Sequence, residues 1–255
     1  MTLTFTHVLL LLVGGAAAGA LNAAAGGGSL ILFPALVAVG LPALHANVTN
    51  TVALCPGYLG GVLGFRGELS DARERMSQLG GVAVAGSVAG VVALTVAPDS
   101  AFDAIVPILL LVASLLVGFD RPLSAWVRRH AAKHPDTDAL RVPLLVSVFL
   151  AGAYGAYFGG ALGIILLATL GILLGDDLRR LNGLKAYLSL LVNVVAALLF
   201  VVTAPVHWGA VAIVAPATLI GGRLGAHLSR RVPEVGLRAA VAVTGVVVAV
   251  IFVVR

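Results

Sequence analysis

Apolar runs of about 15 to 21 residues, separated by short polar or glycine- and proline-bearing breaks, fill this chain almost from end to end. They fall at 7–21, 28–44, 47–65, 78–97, 102–119, 142–158, 160–175, 183–203, 208–228 and 236–254. Each is near the roughly 20 residues that a helix needs to cross the hydrocarbon core of a bilayer. The pattern therefore predicts an all-α polytopic membrane protein with ten transmembrane or re-entrant helices, five in each half. Met1 to His7 holds no Lys or Arg. A charged leading segment is part of a signal peptide, so the first run is expected to be a retained span.

The two halves repeat. Gly28, Gly40, Asn47, Gly86, Gly90 and Pro98 recur 135 residues later as Gly163, Gly175, Asn182, Gly221, Gly225 and Pro233. Loop charges invert between the copies. Leu41 to His45 carries no Lys or Arg and its counterpart, Asp176 to Arg180, carries two, whereas Arg66 to Gln78 holds three arginines and the region of Ala204 to His207 none. An odd number of spans per half brings the second copy in from the opposite side, so the expected architecture is two inverted repeats of about five helices each. Residues 1–119 form the first repeat, 120–141 a cytoplasmic linker rich in polar residues, and 142–255 the second, together one membrane domain.

Composition agrees with the pattern: 60% hydrophobic and only 11% charged residues in 255 are too apolar for a water-soluble core of this size. Alternating the ten runs puts Arg66, Arg73, Arg75, Arg121, Arg128, Arg129, Lys133, Arg141, Arg179, Arg180, Arg230 and Arg231 on one side, with Arg255 on the other. The positive-inside rule makes the basic side cytoplasmic and places both termini outside the cell membrane. The same bias accounts for the basic isoelectric point near 10, so nucleic acid is not an expected partner. Cys55 is the single cysteine, which excludes an intrachain disulfide and a multi-cysteine metal site.

Two kinds of glycine pattern stand out. Gly86-x-x-x-Gly90 and Gly221-x-x-x-Gly225 lie within spans and read as close helix packing. Asn22-Ala-Ala-Ala-Gly26-Gly27-Gly28-Ser29 and Tyr157-Phe-Gly159-Gly-Ala-Leu-Gly163 fall between short runs in both halves. Non-helical backbone at membrane depth is tolerated only where protein or a wet cavity surrounds it. These segments are expected to be helix breaks that line a binding site, with Asn22, Tyr154 and Tyr157 flanking them.

Every acidic residue lies in a loop or at a span end, which argues against a cation held by intramembrane carboxylates. Lys185 is different: it opens a long apolar span in Leu181-Asn182-Gly-Leu-Lys185. It would either snorkel to the interface or hold an anion together with the positive end of its helix. Its position in the first half is Asn50, in the polar cluster Asn47-Val-Thr49-Asn50-Thr51, which favours the anion site. Tyr58 and Asn193 are again 135 apart. Asn193 sits deep in an apolar run, where it would bridge helices or line the path. The candidate substrate ligands are thus Asn22, Gly27, Gly28, Ser29, Thr49, Asn50, Asn182, Lys185 and Asn193. Histidines occupy loops and span ends, and no nucleophile elbow, P-loop, Rossmann glycine pattern or metal motif occurs, so neither an enzyme nor a cofactor is expected.

Gly26-Gly-Gly-Ser-Leu-Ile-Leu-Phe-Pro34, Gly40-Leu-Pro42, Ala46-Asn-Val-Thr-Asn-Thr-Val-Ala-Leu54, Asn182-Gly-Leu-Lys185, Asn193, Val206-His-Trp208 and Gly221-Gly-Arg-Leu-Gly225 together resemble the TauE/SafE sulfite and sulfonate exporters over nearly the whole chain. The resemblance implies a membrane transporter that exports small anions such as sulfite or short organosulfonates. The expected function is a secondary transporter or facilitator for a small anion, with the anion and the lipid bilayer as partners. A membrane-embedded sensor or scaffold is the alternative. A homodimer is among the assemblies left open, since apolar faces pack on lipid or on a second copy alike.

Overall fold

The computed structural model describes residues 4–24, 26–64, 73–119, 125, 138–174, 176, 178–228, 243, 245–247 and 249–250. The last run, 236–254, the linker 120–141 and the repeat members Gly175 and Pro233 lie largely or wholly outside them. Among the described residues the chain forms nine long helices: α1 Phe5–Ala24, α2 Ser29–Ala38, α3 Ala43–Gly64, α4 Arg73–Val96, α5 Asp99–Gly118, α6 Asp138–Tyr157, α7 Leu162–Leu174, α8 Leu178–Thr203 and α9 Trp208–Leu228. The first nine predicted runs each map onto one of these helices.

Five helices have the length and apolar composition to cross a membrane: α1, α4, α5, α8 and α9. Two runs fold shorter than predicted. Helix α2 has 10 residues and α7 has 13, or about 15 and 20 Å of helix at 1.5 Å per residue, well short of the hydrocarbon thickness. Both are nonetheless strongly apolar, and each buries about half or more of its side chains. Their apolar character comes from a place inside the bundle rather than from full-length contact with lipid. Outward faces of α1, α5 and α8 carry Phe5, Val13, Ile108, Leu115, Leu198 and Val202, as a lipid-facing surface requires.

Packing between helices exchanges partners across the halves. Helix α1 packs most extensively on α9, and α6 on α4; α3 then packs on α9 and α8 on α4, while α3 and α8 pack on each other. Small residues make the two closest pairs. A Cβ on Gly221 or Gly225 would collide with the backbone of Ala16 or Ala20 in α1, and one on Gly86 or Gly90 with the backbone of Phe149 or Ala153 in α6. In lipid, where tails are as apolar as leucine, such backbone approach supplies van der Waals contact that larger side chains would prevent. Helix starts keep the sequence offset: α3 and α8 begin at Ala43 and Leu178, α4 and α9 at Arg73 and Trp208.

Two polar contacts mark opposite ends of α8. Arg75 at the start of α4 pairs with Asp176, ahead of α8, at 2.7 Å, and Arg180 adds a longer contact of 3.8 Å. At the far end, the N–H of His207, beyond α8, donates to Thr49 Oγ1 near the start of α3 at 3.0 Å. Among the described residues the Asp176 end carries Arg75, Arg179 and Arg180, a basic end, and the far end carries Asp99 and Asp103 at the start of α5.

Replacing Gly90 or Gly221 with Leu is expected to destabilise the protein by about 1–3 kcal/mol or more through overpacking. Gly81 on α4 meets nothing within 4 Å, so Gly81→Ala is expected to be neutral or slightly stabilising. Thermal unfolding in detergent, read for all three variants, checks the contrast.

Candidate functional site

Both predicted breaks exist, and they touch. The chain leaves α1 through Gly26 at φ +83° and reverses along α1 into α2; it leaves α6 through Gly159 at φ +77° and Ala161 at φ +61° into α7. A Cβ on Gly26 would lie 2.8 Å from Gly163 Cα, so one break is seated directly on the other. Phe33 of α2 and Phe158 at the second break hold edge-to-face contact with centroids 5.7 Å apart. Side chains satisfy the exposed backbone. Asn22 Oδ1 accepts from Gly28 N–H at 3.1 Å, Asn47 Nδ2 donates to the Tyr157 carbonyl at 2.8 Å, and Tyr154 Oη donates to the Gly160 carbonyl at 2.7 Å.

A cavity opens beside this junction, lined by Asn22, Ala23 and Gly26 at the first break, Gly57, Tyr58 and Gly61 of α3, Gly163 of α7, and Lys185, Ala186 and Ser189 of α8. Its volume of about 20 Å³ admits one water and no tetrahedral oxyanion. Helices from both halves build it, toward the basic end of the bundle. Glycine at four of the wall positions, Gly26 at the first break, Gly57 and Gly61 in α3 and Gly163 in α7, keeps these walls free of side chains.

Its polar lining is rich in donors. Lys185 is 6% exposed, the one buried Lys, Arg, Asp or Glu among the described residues, and its Nζ donates to Asn182 Oδ1 at 3.0 Å. That burial answers the snorkelling alternative, which requires an exposed head group. Because Gly28 N–H fixes the orientation of the Asn22 amide, its Nδ2 is left as a donor, buried and without a partner among the described residues. Tyr58 Oη, beside Asn22 and Asn193, and Ser189 Oγ are likewise buried and make no hydrogen bond of good geometry among the described residues. Such groups cost free energy in an apolar interior and leave hydrogen-bonding capacity beside the cavity.

The other predicted ligands fall around the cavity rather than on it. Asn182 holds Lys185, Gly28 orients Asn22, and Ser29 Oγ accepts from Asn50 Nδ2 at 3.1 Å. Gly27 lies against Val117 and Leu21. Asn193 lies near Tyr58, beyond the lining. Thr49 is bound to His207 at the far end, nine residues or about 13 Å along α3 from Tyr58. The backbone N–H groups of the first break are partly consumed, because Gly26 N–H donates to the Leu21 carbonyl and Gly28 N–H to Asn22. Ser189 was not predicted. Its signal was spacing: Lys185, Ser189 and Asn193 lie four apart and share one face of α8. Among the described residues no three His, Cys, Asp or Glu side chains gather as a metal site would require.

A bundle of apolar helices around broken, polar-lined interior backbone is the construction of a membrane transporter. The chain belongs to the sulfite exporter TauE/SafE family, whose model matches residues 11–252. No curated protein and no solved structure matches it.

Gly26→Ala is expected to cost folded yield, since it adds a Cβ at positive φ against Gly163. Ser189→Ala removes a hydroxyl that has no partner among the described residues and is expected to leave the unfolding temperature unchanged or slightly raised. Size-exclusion profiles and thermal scans of both variants test this pair of outcomes.

Proposed function

We propose that the protein is a secondary transporter or facilitator for a small oxyanion, sulfite or a short organosulfonate, in the cytoplasmic membrane. The observation that carries this reading is the donor-lined cavity: Lys185 with Asn22 Nδ2, Tyr58 Oη and Ser189 Oγ around one space between the halves. An oxyanion offers only acceptors, and hydrogen bonds to charged groups are about twice as strong as neutral ones. Family membership supports the transport class and makes sulfite the first solute to test.

The two halves act as inverted repeats. In support, helices at equivalent places in the repeat exchange partners, α1 with α9 and α6 with α4, as a two-fold relation between the halves requires. With the basic loops cytoplasmic and both termini outside, the Lys185 cavity lies toward the cytoplasm. At about 20 Å³ the cavity is contracted, so loading it requires the halves to part, and access alternates as one half rocks on the other. An inside-negative potential drives an anion outward by about 2.3 kcal/mol per charge for each 100 mV, which suffices for uniport.

Sulfite at millimolar concentration is expected to raise the unfolding temperature of the purified protein, because a ligand that binds only the folded state stabilises it. Lys185→Gln is expected to abolish that rise and to lower sulfite flux in proteoliposomes about tenfold or more, with folded yield preserved. A variant that loses flux only in proportion to yield, or keeps the thermal response, refutes the assignment of Lys185.

A further inference from the structure

Grouping the helices by what they pack on does not reproduce the two halves of the chain. Among the described residues α2 and α9 each pack on α1 and α3, which makes one set of α1, α2, α3 and α9. Helices α4 and α7 each pack on α6 and α8, which makes a second set of α4, α6, α7 and α8. Each set thus takes three helices from one half and one from the other. Within a half, by contrast, α4 has no extensive packing on α1, α2 or α3, nor has α9 on α6, α7 or α8.

Polar ties follow the same division. Thr218 of α9 donates to the Ala53 carbonyl of α3, and the N–H of His207, just ahead of α9, donates to Thr49 of α3. In the second set Ser87 of α4 donates to the Val192 carbonyl of α8, and Arg75 of α4 pairs with Asp176 ahead of α8. The closest glycine contacts, Gly221 and Gly225 on α1 and Gly86 and Gly90 on α6, are internal to the sets as well. Backbone packed this closely cannot slide without losing its contacts.

The sets meet along a seam of α3 against α8, with the two breaks seated on it. Asn47 crosses the seam to the Tyr157 carbonyl, and Phe33 crosses it to Phe158. Helix α5 touches α2 and α3 of one set and α7 of the other, more lightly. The cavity lies on this seam: Asn22, Gly26 and Tyr58 line it from the first set, and Gly163, Lys185 and Ser189 from the second.

We infer that the bodies which part to load the cavity are these two sets, so that α9 travels with α1, α2 and α3, and α4 with α6, α7 and α8. The inference rests on the transport reading proposed above and specifies its moving parts: each half rocks while carrying one helix of the other. An oxyanion that engages Lys185 and Asn22 together bridges the two bodies and favours the closed seam over the open one. The Arg75–Asp176 pair lies within one body, so it holds that body together and stays made as access changes.

The test uses sulfite and the full chain carrying Cys55→Ala, with pairs of gadolinium spin labels attached through thioether bonds, which sulfite does not cleave. Cysteines replace outward-facing residues: Val13→Cys with Ile220→Cys on α1 and α9, Val92→Cys with Leu150→Cys on α4 and α6, and Val13→Cys with Val92→Cys on α1 and α4. The first two pairs join opposite halves within one body, and the third joins a single half across the seam. Sulfite is expected to leave the first two spin–spin distances unchanged and to shift the third by more than about 2 Å. A shift in either of the first two overturns the inference, because it separates helices assigned to one body. Three constant distances in a protein whose unfolding temperature sulfite raises overturn it too, and leave the Lys185 site standing. Absence of both the thermal response and any shift removes the transport reading for sulfite, and the inference with it.

Discussion

Broken backbone inside an apolar bundle must find its hydrogen-bond partners within the protein, and much of this structure follows from that requirement. The two glycine breaks free N–H and C=O groups where lipid offers nothing to bind them. Asn22, Asn47 and Tyr154 meet that need at Gly28, Tyr157 and Gly160. Asn47 does so from α3 across to the second half, so a local defect in one half is repaired by a helix of the other. Seating Gly26 on Gly163 then fixes where the helices diverge and hence where a cavity opens.

Around that junction the division of labour among polar residues is sharp. Some are spent on structure: Ser87 donates to the Val192 carbonyl, Thr218 to the Ala53 carbonyl, and Thr51 to the Asn47 carbonyl. These tie helices together or close locally on their own turn, and nothing is left over for a solute. Others keep one polar atom unsatisfied, and those cluster on α1, α3 and α8 beside or near the cavity, apart from His7 near the chain start. A buried hydroxyl that is satisfied and one that is not have the same burial, yet only the second has binding capacity in reserve.

Span positions and glycine breaks were legible in the sequence because each leaves a periodic or compositional trace. The lengths of α2 and α7 were not: an apolar run reads alike whether lipid or protein surrounds it, and the wrapping of these short helices by their neighbours is a tertiary fact. Lys185 and Asn22 were readable as polar residues out of place among apolar ones. Thr49 and Asn50 were equally conspicuous, but hydrogen bonds to His207 and Ser29 place them away from the lining, and no sequence offset encodes those distances. Ser189 passed unnoticed because a lone serine in a span is ordinary, and only the face it shares with Lys185 gives it away.

The exchange of partners between halves also bears on how the chain is made. Helix α1 has its most extensive contact with α9, which begins about two hundred residues later. A nascent chain therefore inserts its first spans long before their permanent neighbour exists. During that interval the face of α1 that later receives Gly221 and Gly225 lacks its final partner. Assembly is thus staged: α1 finds α2 and α3 as soon as they follow it, whereas its contact with α9 is the late one.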